Sequence, residues 1–173
     1  MSSLSESSTI QLDTPIPTGS WTLYFHSPDE TKWTLNTFIS LGAMKTWRDF
    51  WTVMDGLQLE YLSNGMFFLM RDPFPPLWES HHHIRGGCYS FRCQKAEAPD
   101  IYINHIIAVM MNVLTDPKNQ INGLSISPKR GFNIIKAWNN NAASFCKPAD
   151  INTSFSTIRE QDIIYTPFVQ KKM

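Results

Sequence analysis

Apolar positions recur along this chain with period two in several short runs and with period three to four in two longer ones, so elements can be placed before any chemistry is considered. "WTLYFH", from Trp21 to His26, is rich in aromatics, follows the rigid "TPIPTG", and predicts a first strand. "TKWTLNTFISLG" predicts a second strand that weakens toward Gly42. The period then changes: Met44, Trp47, Phe50, Trp51 and Met54 fall on one face of an amphipathic helix. "GMFFLMR" predicts a short apolar strand, and "CYSFRC" alternates strictly. "APDIYINHIIAVMMNVL" predicts a second helix with Asp100 as N-cap after Pro99. "GLSIS" and "FNIIKAW", joined by "PKRG", predict a hairpin, and "QDIIYTPFV" a last strand. Strands in hairpin order with isolated helices between them predict an α+β fold, an antiparallel sheet covered on one face by helices.

Composition narrows the class. A chain of 173 residues is sized for one domain, here 15–173, after a flexible polar tail, 1–14, that is rich in serine. Fifteen basic residues balance fifteen acidic ones, which excludes the broad cationic field of a duplex-coating protein. Three cysteines, Cys88, Cys93 and Cys146, do not make a disulfide framework and read as reduced thiols of the cytoplasm or nucleus. The longest oily run is broken by Asn104, His105 and Asn112, so it reads as a buried helix rather than a membrane span. Six tryptophans stand out, and for most of them core filling is the plain explanation.

The chain carries no nucleophile elbow, no phosphate-cradling GxxxxGK[ST] loop and no HExxH, so no enzyme chemistry is indicated and no cofactor is implied. His81, His82 and His83 are candidate metal ligands, but neighbours in an extended loop point in alternate directions and no second His/Cys cluster completes a set. Trp78 and Glu79 are more informative. An indole face stacks on a base for roughly 1–3 kcal/mol, and a cationic base adds attraction to the ring quadrupole. A carboxylate beside that ring accepts hydrogen bonds from the N1–H and 2-amino edge of guanine, a donor pattern adenine lacks. A second ring across the slot would favour an alkylated, positively charged guanine.

"TKWTLNTF", "WRDFW", "PPLWE" followed by "RGG", and the late "IIKAW" occur in the order and spacing of the eukaryotic translation initiation factor 4E family, which the chain resembles from about Pro15 to Asn141. The resemblance implies a single curved antiparallel sheet with helices on its convex face and a slot on the concave side that holds the 7-methylguanosine cap of messenger RNA. Trp33 and Trp78 look like the two stacking tryptophans, and Glu79 like the carboxylate on the guanine edge. Trp138 resembles the tryptophan touching the N7-methyl group, its alternative being ordinary strand packing. Lys129 falls where the family carries a phosphate-binding arginine, with Arg130 beside it. Two further phosphate cations of the family are replaced here by Cys88 and Ile134, a loss that Arg85 or the histidines are candidates to offset.

The resemblance also implies a scaffold or regulatory partner carrying a Y-x-x-x-x-L-Φ helix. Trp51, Ile106, Met110, Ile16 and Pro17 occupy the positions expected to receive it, with His105 and Ile107 departing from the family pattern. The implied protein is a cytoplasmic or nuclear monomer without a membrane segment, which recruits capped RNA to translation. The alternatives are a cap-binding repressor or specialised isoform and, in a different class, a metal protein or enzyme centred on the histidines. After Trp138, "NNNAASFCKPADINTS" is rich in helix-weakening residues, so the family's third helix is expected to be trimmed or rebuilt.

Overall fold

The computed structural model describes residues 11–169, so the first ten residues of the expected tail lie outside it. Seven strands form one antiparallel, curved and unclosed sheet: β1 (Trp21–His26), β2 (Phe38–Met44), β3 (Met66–Arg71), β4 (Gly87–Gln94), β5 (Ile121–Pro128), β6 (Phe132–Asn139) and β7 (Ile164–Pro167). Their order across the sheet is β2-β1-β3-β5-β6-β4-β7. Three helices, α1 (Trp47–Asp55), α2 (Leu59–Asn64) and α3 (Ala98–Met110), connect them.

Period-two alternation gives the sheet two different apolar faces. Leu23, Leu69, Leu124, Ile126 and Ile135 point toward Phe50, Leu62, Tyr102 and Ile106 of the helices and make the main core. The opposite face carries a smaller cluster of Phe38, Phe68, Met70, Cys88 and Trp138. Tyr102 ties α3 down through its hydroxyl, which donates to the Leu124 carbonyl at 2.8 Å. No helix among the described residues is long and apolar enough to cross a membrane.

Local chemistry accounts for most boundaries and for three departures from expectation. The helix predicted from Met44 begins only at Trp47. Thr46 caps it by accepting from the Asp49 N–H, while the Asp49 carboxylate accepts from the Thr46 and Lys45 N–H groups. Met44 is buried from the strand side, opposite Trp21, and matches the helical period only by coincidence. The predicted second strand likewise starts at Phe38. Thr34 precedes a 3₁₀ turn over Leu35–Thr37, so Trp33 sits on a loop despite its β-prone neighbours. α2 was not expected, because six residues are too short to show a helical period. Gly42 lies at φ +137° in β2, next to the bulge at Leu23/Tyr24, a conformation open to glycine and costly for other residues.

Residues 11–14 are attached to the start of α1: the Leu12 and Thr14 carbonyls accept from the Arg48 and Trp47 N–H groups, and Asp13 pairs with Arg48 at 2.7 Å. At the other end, residues 140–163 contain only two 3₁₀ turns, Pro148–Asp150 and Glu160–Asp162, in place of a helix. A buried polar network holds this segment to the sheet. Tyr89 donates to Asp150 at 2.8 Å, Asn119 to Tyr89 at 2.9 Å, and Asn139 to the Asn119 side chain at 3.0 Å and the Phe145 carbonyl at 3.1 Å.

Candidate functional site

On the sheet face opposite the helices lies a cavity of about 350 Å³. Trp33, Trp78, Glu79, Trp138 and Lys129 line it together with Phe68, Ser125 and Lys136. Five stretches of chain converge there: the loop before β2, strand β3, the loop after it, and the two arms of the β5–β6 hairpin. Five of the six residues expected at a cap site thus share one cavity. The sixth, Arg130, is exposed in the hairpin turn and does not reach its wall.

The two outer tryptophans are half exposed, Trp33 at 47% and Trp78 at 41%, as a stacking platform requires and a core residue does not. Each is backed by another ring. The fully buried His26 lies parallel to Trp33 with centroids 3.9 Å apart and an interplanar angle of 1°. His26 is itself fixed by the Ser27 carbonyl at 3.0 Å, the Lys32 carbonyl at 2.9 Å and the Thr37 hydroxyl at 3.1 Å from its ring nitrogens. Phe168 lies in an offset stack on Trp78, with centroids 5.9 Å apart at 21°. One face of each indole is therefore occupied from within the protein, and one remains for a ligand.

Trp138 is 5% exposed and forms the floor, its indole N–H donating to the Ser125 hydroxyl at 3.3 Å. Phe68, Phe168 and His83 meet it edge-on. His83 is buried, and its Nε2 lies 2.9 Å from the Pro75 carbonyl. Burial lowers its pKa below the usual histidine value, more strongly than the Pro75 hydrogen bond raises it, so the ring is held neutral and supplies no phosphate cation. His81, His82 and Arg85 are exposed and do not line the cavity. Among the described residues no three His, Cys, Asp or Glu side chains come together, which leaves the metal alternative without a ligand set.

The two glycines after Arg85 are structural. A Cβ on Gly86 would lie 1.8 Å from the Asn139 carbonyl oxygen, so only glycine lets the start of β4 pass the end of β6 this closely. The Gly86 carbonyl accepts from the Phe168 N–H at 3.0 Å, which places Phe168 against Trp78.

Lys136 is the functional candidate that the sequence reading missed. Ile134, Lys136 and Trp138 alternate with the fully buried Ile135 and Ala137, so the lysine two positions before Trp138 shares its face. That alternation is visible in "IIKAW" and could have identified it.

The expected partner surface is only partly available. Trp51 is 48% exposed at the edge of α1, while Trp47 and Phe50 turn inward. Pro17 is exposed, whereas Ile16 is buried. Ile106 and Met110 are fully buried, which corrects the expectation that they face a partner: the core takes that side of α3, Ile103 and Ile107 are half-buried against it, and Met111, just past the helix end, is exposed.

Residues 18–168 match the Eukaryotic initiation factor 4E family profile. Among curated proteins, initiation factor 4E of Saccharomyces cerevisiae is 24% identical over 141 residues, covering 78% of this chain and 66% of the yeast protein, slightly less than two thirds of that relative. Initiation factor 4E-1A of Danio rerio is 22% identical over 68% of this chain and 58% of its own length. The crystal structure of Ascaris suum initiation factor 4E-3 with an m2,2,7G cap superposes with a TM-score of 0.76 at 16% identity, covering 93% of this chain and 94% of the other. The Caenorhabditis elegans factor 4E-3, in complex with the 4E-binding protein Mextli and a cap analog, gives 0.65 at 16% identity, covering 74% and 75%. A profile match running through all seven strands, on a sheet of the same architecture, shows that the chain belongs to the eukaryotic initiation factor 4E family.

Proposed function

We propose that this chain binds the 7-methylguanosine cap of messenger RNA and brings capped RNA to the translation machinery through a helical partner. The observation that carries this reading is the pair of half-exposed, ring-backed tryptophans, Trp33 and Trp78, lining one cavity together with Glu79, a tryptophan floor and two lysines. The cationic base stacks on the free indole faces, Glu79 accepts from the guanine edge, and Trp138 meets the methyl group. Lys129 and Lys136 face the phosphates as charges with no reaction to perform, so the protein is a binding module rather than an enzyme. The cap-bound and Mextli-bound relatives support both halves of the reading.

Trp51 receives the partner helix, with the exposed Met111 at the end of α3 as a second apolar contact. Lys136, which lines the cavity, is a candidate to offset the lost phosphate cations and so weakens one reason to favour a repressor. A single folded domain, extended at its start by residues 11–14 on α1 and acting as a cytoplasmic monomer, completes the proposal. The test is retention on immobilised 7-methylguanosine, with elution by the free methylated nucleotide and not by guanosine triphosphate. A chain that washes through the column, or that elutes equally with both nucleotides, does not bind the cap in this way.

A further inference from the structure

We infer that Lys136 and Arg92 form a phosphate track leading out of the cavity across β6 and β4, which takes the 5′ phosphate bridge and first backbone phosphate of a capped RNA. This rests on the cap-binding reading above. In the β4–β6 register Cys88 faces Trp138, Ser90 faces Lys136, and Arg92 faces Ile134. Directly opposed residues share a sheet face, so Arg92 stands on the cavity side of the sheet, diagonal to Lys136 and roughly 7–8 Å from it. Ser127 flanks Ile134 from the other side. The positively charged path thus runs from the tryptophan floor to Lys136 and then to Arg92, around an uncharged isoleucine.

The two cations are suited to an unmet negative charge. Arg92 is exposed, and its guanidinium carbon lies 4.5 Å above the Phe132 ring centroid. That packing orders the planar group and leaves its N–H edges for an acceptor. Among the described residues the ion pairs are Asp13–Arg48 and Asp162–Arg159, so neither Lys136 nor Arg92 is neutralised by a carboxylate. The opposed and flanking side chains of the track are Ser90, Ser125, Ser127 and Ile134, none of them acidic. A polyphosphate emerging from the base slot meets a lysine as a point charge and then an arginine able to grip a phosphate with two hydrogen bonds.

The experiment measures the affinity of the full chain for 7-methylguanosine monophosphate, 7-methylguanosine triphosphate and a capped tetraribonucleotide at several salt concentrations. Lys136→Gln is expected to shrink the gain from monophosphate to triphosphate. Arg92→Gln is expected to shrink the gain from triphosphate to tetranucleotide on the order of five- to tenfold and to lower the salt slope for the tetranucleotide by about 0.7, one single-stranded phosphate contact. Arg92→Lys should recover most of that slope. Wild-type tetranucleotide affinity and slope in Arg92→Gln overturn the track, as does a Lys136→Gln loss of equal factor for all three ligands, which would place that lysine at the base slot. If the unaltered chain does not bind even the monophosphate, the cap-binding reading has failed and the track falls with it.

Discussion

Trp33 illustrates what a single residue needs from its surroundings to act as a platform. Its indole is half exposed, yet the parallel His26 ring and the carbonyls that hold His26 define its plane before any ligand arrives. Trp33→Ala is expected to weaken binding of a methylated cap analogue by about 1–3 kcal/mol, read by titration against unchanged thermal stability. A loss well below that range would mean the base stacks elsewhere. Trp51 gives the complementary case. Trp51→Ala should retain cap binding while losing capture of a Y-x-x-x-x-L-Φ peptide, and loss of both together would indicate unfolding. Both tryptophans, along with Trp78 and Glu79, were legible from residue type and order. The His26 and Phe168 backing was not, because those contacts join positions that the sequence alone does not relate.

At the scale of elements, the strands were read from their alternation, and the mistakes arose where another constraint overrode the period. α3 is apolar on most sides, so the sequence could not say which of them meets the sheet. The structure gives Ile106 and Met110 to the core, leaves Ile103 and Ile107 half-buried against it, and exposes Met111 just past the helix end. β6 shows the opposite situation: its alternation is strict, and one correct residue fixes the facing of all the others. The junction of β4 and β6 depends on glycine. Gly86→Ala would place a methyl group against the Asn139 backbone and displace the strand end that carries Phe168. We expect a loss of about 1–3 kcal/mol in chemical denaturation, accompanied by weaker cap retention as Trp78 loses its cover. An alanine variant of wild-type stability would show that the two strands part without cost.

Across the whole molecule, burial of histidine ties stability to pH. His105 lies in α3 against Phe91 and Phe155, its Nδ1 2.7 Å from the Ile101 carbonyl, and burial pushes its pKa down to about 4 from an ordinary 6.5. The depressed value means that the unfolded chain binds this proton more readily than the folded one, so stability is full above pH 6.5 and falls as pH drops toward 4. The shift corresponds to about 3 kcal/mol over that window, and His83, lowered in the same direction, adds to the trend. Denaturant titrations at pH 7.5, 6 and 5 should show the decline, and His105→Phe should flatten it. Equal stability of the unaltered chain at all three values would refute the assignment.

The sequence by itself determined the α+β class, the strand order along the chain and the family resemblance, and through that resemblance it singled out Trp33, Trp78 and Glu79 as candidates for the cap site. The class and the strands follow from local periodicity, Trp78 and Glu79 from residue types whose chemistry is the same in any context, and Trp33 from the order of motifs that the family shares. Tertiary structure alone decided which side of α3 is buried, that Arg130 stays away from the cavity while Lys136 enters it, and that rings from β1 and the chain segment after β7 brace the two tryptophans. Those outcomes depend on contacts across strands and between distant segments, and their geometry is set only when the sheet closes its register and the two faces receive different partners.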